Sequence, residues 1–380
     1  MTSTAQSDLL GAPAAGSAFR SERILMTIHT RPGLEMVPAY RQGKAASPGA
    51  SKLSSNESPH PPLDSVIEAV TARLTQLHRY PNIGAETLRA AIADKNSVAA
   101  ENIVLGAGSV EVASQLIHAV AGPDDEVMFA WRSFEAYPSL VRISGAIPVE
   151  VPLNTDAAHD LPAMLDAITA KTRLIFICNP NNPTGTVVDA AALDAFVDAV
   201  PRDVLVVIDE AYVHFDRSQV RADGLALFAK YPHVAVLHTF SKAYGLAGLR
   251  VGYAIAHPPV AENLRKVSLP FGVTDLAQTA AVASLQAEAE LNVRINEVVQ
   301  QRERMYAGLI AAGYPAVASE ANFVWVSAGE HSAELDALLA AHKVVARTFP
   351  GEGVRISAGS AEDTDRVLAA LAAAHAEVGA

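Results

Sequence analysis

The chain has 380 residues, 50% of them hydrophobic and 18% charged, the composition of a globular protein with core enough for two domains. Its formal net charge of −12, without a Lys/Arg cluster or an aromatic-interleaved basic stripe, argues against nucleic acid as a partner. A lone cysteine, Cys178, excludes an internal disulfide and argues against a cysteine-based metal site, and no apolar run reaches the roughly 20 residues that span a bilayer.

Residues 1–25 are rich in Ala, Gly and Ser and lack the basic start and apolar stretch of a signal peptide, so a flexible extension of a cytoplasmic protein is expected there. Residues 26–50 then read as an N-terminal arm, 51–270 as a large domain and 271–380 as a smaller one. In the large domain, apolar β-branched runs alternate with helical stretches. The predicted strands are Ile103–Leu105, Glu126–Phe129, Pro148–Val151, Leu174–Ile177, Val204–Ile208, Val234–Leu237 and Val251–Ile255. Their scant polar/apolar alternation marks strands covered on both faces, and helical stretches such as Val110–Val120, Pro162–Ala170 and Ala190–Ala199 lie between them. This order predicts a mainly parallel seven-stranded sheet flanked by helices.

Five segments at predicted strand ends carry chemistry. Gly106-Ala-Gly-Ser-Val-Glu111 is a glycine turn opening a helix, where backbone amides and the Ser109 hydroxyl form an anion cup; the G-x-G-x-x-G spacing of a dinucleotide fingerprint is not met. In Trp131-Arg-Ser-Phe-Glu-Ala-Tyr-Pro138 an aromatic could stack on a planar heterocycle or serve the core. Cys178-Asn-Pro-Asn-Asn-Pro-Thr-Gly185 holds Asn182 on a proline-stiffened loop, as an amide donor or as part of a simple turn. Asp209 ends the run Val204–Ile208, and a carboxylate so placed needs a cation or a metal; Tyr212 follows within reach. A Mg²⁺ reading would require a G-x-x-x-x-G-K-[ST] loop, which is missing.

The fifth segment, Leu237-His-Thr-Phe-Ser-Lys-Ala-Tyr-Gly-Leu-Ala-Gly-Leu-Arg250, is the most informative. Thr239 and Ser241 can donate to a phosphate, Arg250 can grip it, and Lys242 between them can form a Schiff base once deprotonated. Past Ala277 the texture changes to one or two amphipathic helices up to Ala312. Short strands follow at Asn322–Val326, Val344–Arg347 and Val354–Ser357, and then an Ala-rich helix. Arg355, inside the last strand, reads as a carboxylate clamp or as half of a structural ion pair.

Taken together in this order, and with Leu53-Ser-Ser-Asn-Glu-Ser-Pro59 and Arg79-Tyr-Pro81, these segments resemble the histidinol-phosphate aminotransferase family of fold-type I pyridoxal-phosphate (PLP) aminotransferases, which includes closely related aromatic amino-acid aminotransferases. The resemblance runs from about Met26 onward and implies a large α/β PLP-binding domain with a smaller α/β C-terminal domain. It implies that Lys242 carries the cofactor as an aldimine and shuttles the proton, that Asp209 pairs with the pyridine nitrogen, and that Asn182 and Tyr212 bond the ring's 3′-oxygen. Ser109, the Val110 amide, Thr239, Ser241 and Arg250 would hold the phosphate. Phe134 matches the ring-stacking position, where many relatives carry Tyr, and Tyr80 a residue that reaches the neighbouring subunit's cofactor, which implies a homodimer with shared sites. Arg355 matches the clamp on the substrate carboxylate, and Tyr40 and Arg347 match positions that meet its distal group.

The activity implied is a two-step exchange with 2-oxoglutarate/glutamate as partner. Histidinol phosphate ranks first as donor, aromatic amino acids second, and a related phosphothreonine decarboxylase a distant third. A non-enzymatic regulator on the same fold would want a DNA-binding domain, and only about 50 residues precede the Leu53 motif.

Overall fold

A computed structural model describes residues 31, 33–39 and 43–378. The extension expected over 1–25, part of the arm and Tyr40 lie outside the described residues. Thirteen strands are numbered here in chain order: β1 (Ser51–Lys52), β2 (Ile103–Gly106), β3 (Glu126–Trp131), β4 (Ile147–Pro152), β5 (Thr172–Cys178), β6 (Leu205–Asp209), β7 (Val234–Thr239), β8 (Gly252–Ile255), β9 (Ala316–Val317), β10 (Phe323–Val326), β11 (Val344–Val345), β12 (Arg347–Phe349) and β13 (Gly353–Ser357).

The expected seven-stranded sheet runs β2-β8-β7-β6-β5-β3-β4. Antiparallel pairing of β8 with both β7 and β2 makes β8 the reversed strand in an otherwise co-directional sheet. Edge strand β4 carries Pro148 and Pro152, which a central ladder would reject, and Ile147 there is exposed. The interior strands are sealed on both faces by alternation. On β6, Val206 and Ile208 join the core under helices Asp64–Arg73, Ala190–Ala199 and Asp275–Gln286, whereas Leu205 and Val207 join the core under Ser109–Val120, Tyr137–Ser144 and Pro258–Val267. Asp209, two residues beyond Val207, therefore falls on the second face.

The segment after Ala277 forms two helices, Asp275–Gln286 and Glu288–Ala311, which meet at Ala287. Ala277, Ala280, Leu291, Ile295 and Val298 from them are buried in the core of the large sheet. Beyond lies a four-stranded antiparallel sheet, β12-β13-β10-β9, whose core also takes in Leu53. The single strand expected over Val344–Arg347 is corrected to two. β11 pairs in parallel with β1, while β12 begins at Arg347 against β13, so one extended stretch serves two sheets across Ala346. The helix expected over Pro162–Ala170 is shorter, Leu161–Asp166; it starts where the Asp160 side chain accepts from the Ala163 amide. Among the described residues no helix is long and apolar enough to cross a membrane.

Candidate active site

The carboxyl ends of β2, β3, β5, β6 and β7 open on one edge of the large sheet, and β8 enters from that edge, which is where ligands bind in open α/β sheets. The chemistry-bearing residues gather there. Asp209 ends β6 beside Cys178 on β5 and is 5% exposed. Its Oδ2 accepts from the Tyr137 hydroxyl at 2.6 Å and its Oδ1 from the Ala211 amide at 3.1 Å. Burial pushes this carboxyl's pKa up, while both donors pull it down. Such a group asks for a cation, as the protonated nitrogen of a pyridine ring would be.

Lys242 lies partly buried three residues past the end of β7. Its Nζ donates to the Ser55 carbonyl at 3.4 Å and stands 5.8 Å from the Tyr212 ring centroid. Burial, with the positive charges of Arg355 and Arg250, pushes its pKa down to about 8 against an opposing pull from Glu57. The amine is thus available in neutral form near physiological pH, as a Schiff-base lysine requires.

The anion cup is built by close approach of three backbones. Gly108 caps helix Ser109–Val120 at φ 84°, and a Cβ there would overlap Arg250 Nη2. A Cβ on Gly252 would overlap the Ser109 amide, so this glycine lets β8 pass directly beneath the helix start. Arg250 Nη1 donates to Ser241 Oγ at 3.4 Å and Nη2 to the Ala107 carbonyl at 3.3 Å; Thr239 Oγ1 accepts from the Ser241 amide at 3.0 Å. Ser109 and Val110 contribute the first helical amides, which have no partner within a helix. Glycine space, helix amides, hydroxyls and a guanidinium together suit a phosphate monoester, and the buried carboxylate and depressed lysine suit the ring and aldehyde of PLP.

Arg355 is 6% exposed and donates through Nη1 to Asn182 Oδ1 and through Nη2 to the Ser54 carbonyl at 3.1 Å. Tyr212 accepts at its hydroxyl from Asn56 Nδ2 at 3.0 Å, and burial pushes its pKa up. Phe134 meets Tyr137 edge-on, centroids 5.4 Å apart. Arg347 Nη2 donates to Glu135 Oε1 at 2.8 Å. Tyr80 stands outside the cluster, 84% exposed and stacked on Phe271. Tyr40 cannot be placed in this geometry because it lies outside the described residues.

Sequence reasoning missed Tyr137, Asn56 and Glu135. The signal for Tyr137 was the parity of β6, which turns Asp209 toward the face that Tyr137 and Phe176 pack. For Asn56 it was an asparagine inside the Leu53–Pro59 motif, which here takes φ 53°, a left-handed conformation that asparagine tolerates. Its backbone amide and Oδ1 both engage the Ser357 hydroxyl.

Residues 49–371 match the model of the family described as aminotransferase class I and II. The chain is similar to an aromatic amino acid aminotransferase of Cutibacterium acnes, 51% identical over 338 residues, 89% of this chain and 96% of that one. It is 53% identical over 341 residues to a protein of the same name from Streptomyces coelicolor, 89% of this chain and 95% of that one. Among solved structures it resembles histidinol-phosphate aminotransferase from Sinorhizobium meliloti in complex with pyridoxal-5′-phosphate, at TM-score 0.83 and 26% identity, covering 93% of this chain and 100% of that one.

Proposed function

The chain belongs to the class I and II aminotransferases, and on that premise we propose that its amino donors are aromatic amino acids and its acceptor 2-oxoglutarate. Its cofactor is pyridoxal 5′-phosphate. The donor choice reverses the order drawn from sequence. The observation that carries it is about half identity across nine-tenths of the chain to relatives named for aromatic amino acids, against 26% to the histidinol-phosphate enzyme.

When bound, the cofactor supplies an electron-withdrawing ring that weakens the bond to the proton on the substrate Cα. Asp209 would hold the positive charge of the ring nitrogen, and Tyr137 holds Asp209. Lys242 Nζ, partly neutral at its depressed pKa, would serve as the base that takes the proton from the substrate Cα and, once charged, as the acid that gives it up again. Because Arg355 only donates, Asn182 turns its Oδ1 to it and keeps its Nδ2 hydrogens for the cofactor's phenolic oxygen. Tyr212, which accepts from Asn56, likewise keeps its O–H to donate. Arg355 orients the substrate carboxylate, Phe134 covers the ring, and Ser109, Val110, Thr239, Ser241 and Arg250 hold the phosphate. Exposed Leu77, Tyr80, Ile83, Leu269 and Phe271 supply an apolar surface for a second copy, with Tyr80 completing the partner's site.

The test is kcat/KM for phenylalanine, tyrosine and histidinol phosphate, each with 2-oxoglutarate. We expect both aromatic donors to exceed histidinol phosphate by at least about tenfold, a preference worth roughly 1.4 kcal/mol. A histidinol phosphate value equal to or above that for phenylalanine overturns the donor assignment.

A further inference from the structure

Resting on the reading that the donors are aromatic and the acceptor a dicarboxylate, we propose that Glu135 is a specificity residue whose carboxylate occupies, on Arg347, the seat that an anionic distal group of a substrate would take. Arg347 on β12 lies directly opposite Arg355 on β13, so the two side chains leave the same face of the small sheet. Both guanidinium groups face the Phe349 ring, at 5.8 and 6.0 Å from its centroid, and Arg132, itself paired with Glu352, faces it at 5.4 Å. Two cations side by side on one face make a pair of anion seats. The inner one, Arg355, is buried and fixed to Asn182 and Ser54. The outer one carries the 2.8 Å ion pair to Glu135, with side chains only 20% and 26% exposed.

The loop that delivers Glu135 is braced at the two residues Arg132 and Ser133. Ser133 Oγ donates to Asn181 Oδ1 at 2.8 Å, Asn181 Nδ2 donates back to the Arg132 carbonyl at 3.2 Å, and Arg132 Nε donates to Glu352 Oε2 at 2.8 Å. Glu135 is thus set in place immediately after Phe134. With it there, the Glu135 carboxylate offsets the charge of Arg347. An aromatic side chain needs no countercharge and can lie along the aliphatic stems of the arginines. A dicarboxylate can exchange one carboxylate for that of Glu135. A phosphate ester, carrying between one and two negative charges near neutrality, meets the Glu135 carboxylate as a like charge. The expected order is aromatic first, dicarboxylate accepted, phosphorylated donor disfavoured.

The experiment titrates the PLP-loaded enzyme by calorimetry with two unreactive acids, glutarate and 3-phenylpropanoate, in the wild type, Glu135→Gln, Arg347→Gln and the double variant. We expect Glu135→Gln to tighten glutarate roughly five- to tenfold, a typical effect for a partly buried charge, and to change 3-phenylpropanoate less. In the Arg347→Gln background the gain for glutarate vanishes. The ratio of kcat/KM for histidinol phosphate over phenylalanine rises by about tenfold in Glu135→Gln. Unchanged glutarate binding overturns the proposal, as does a gain that persists without Arg347. Equal weakening of both acids with a lowered melting temperature also overturns it, since Glu135 would then be a structural brace. If the wild type fails to transaminate phenylalanine the donor assignment falls, while the two-acid cycle still decides the role of Glu135.

Discussion

Replacing Tyr137 with Phe removes one oxygen atom and almost nothing else. The ring stays in place, stacked on Phe176 with centroids 4.5 Å apart, so packing is conserved. What is lost is a 2.6 Å hydrogen bond to a buried carboxylate. Hydrogen bonds to charged groups contribute about 1.5–3 kcal/mol, which translates into a roughly ten- to hundredfold loss of affinity for a cofactor that needs Asp209 ionised. The sign of the pH effect follows from the same contact. The hydroxyl pulls the pKa of Asp209 down against burial, so its removal lets that pKa rise, and the charged form is lost at a higher pH. The acid limb of PLP binding should therefore move upward in Tyr137→Phe. Fluorescence titration of apo-protein with PLP between about pH 5 and 8.5 measures both quantities. Affinity within twofold of wild type across that range, in a variant with an unchanged melting temperature, would refute the coupling of Tyr137 to Asp209.

Gly108→Ala tests the anion cup. The new methyl group would overlap Arg250 Nη2 and sit on a φ of 84°, so we expect PLP affinity to fall by about tenfold or more and the apo-protein to lose about 1–3 kcal/mol of stability. A variant that binds PLP as tightly as wild type would remove Gly108 from the phosphate site. The depressed amine of Lys242 gives a third test, read as the initial rate of borohydride-trappable PLP attachment to apo-protein. The neutral amine is the nucleophile, so the rate should climb with pH through about 8 and then level off. Because Arg355 is one of the charges pushing that pKa down, Arg355→Gln should shift the rise to higher pH, and Lys242→Ala should abolish attachment. A rate profile that does not move in Arg355→Gln would show that the two cations are not coupled.

The sheet and the strand-end residues were legible because each is announced locally. An apolar run delivers Asp209, hydroxyls flank Lys242, and glycines open the helix at Ser109, all within a few residues of chain. Contacts between distant segments were not. Nothing near Arg347 in sequence indicates Glu135, 212 positions away, or links Arg355 to Asn182, 173 positions away. The parting of Val344–Arg347 into two strands was hidden for the same reason, since the partner of its first half lies near the start of the described chain. Tyr137 was visible as one aromatic among several, and only the side-chain parity of two packed elements singles it out.

The parallel pair of Ser51–Lys52 with Val344–Val345 also sets a schedule for the chain as it is made. The residues that follow at once, Ser54, Ser55 and Asn56, contact Arg355, Lys242, Tyr212 and Ser357. At roughly 5–20 residues per second, a ribosome needs on the order of 15–60 s to travel from this strap to its partners. Late in that interval, once β5, β6 and β7 have been made, the large sheet can collapse around them while the strap stays unpaired. The candidate site is thus among the last parts of the molecule to close, and a nascent chain stalled short of β13 would carry Lys242 and Asp209 without Arg355, the proposed substrate clamp.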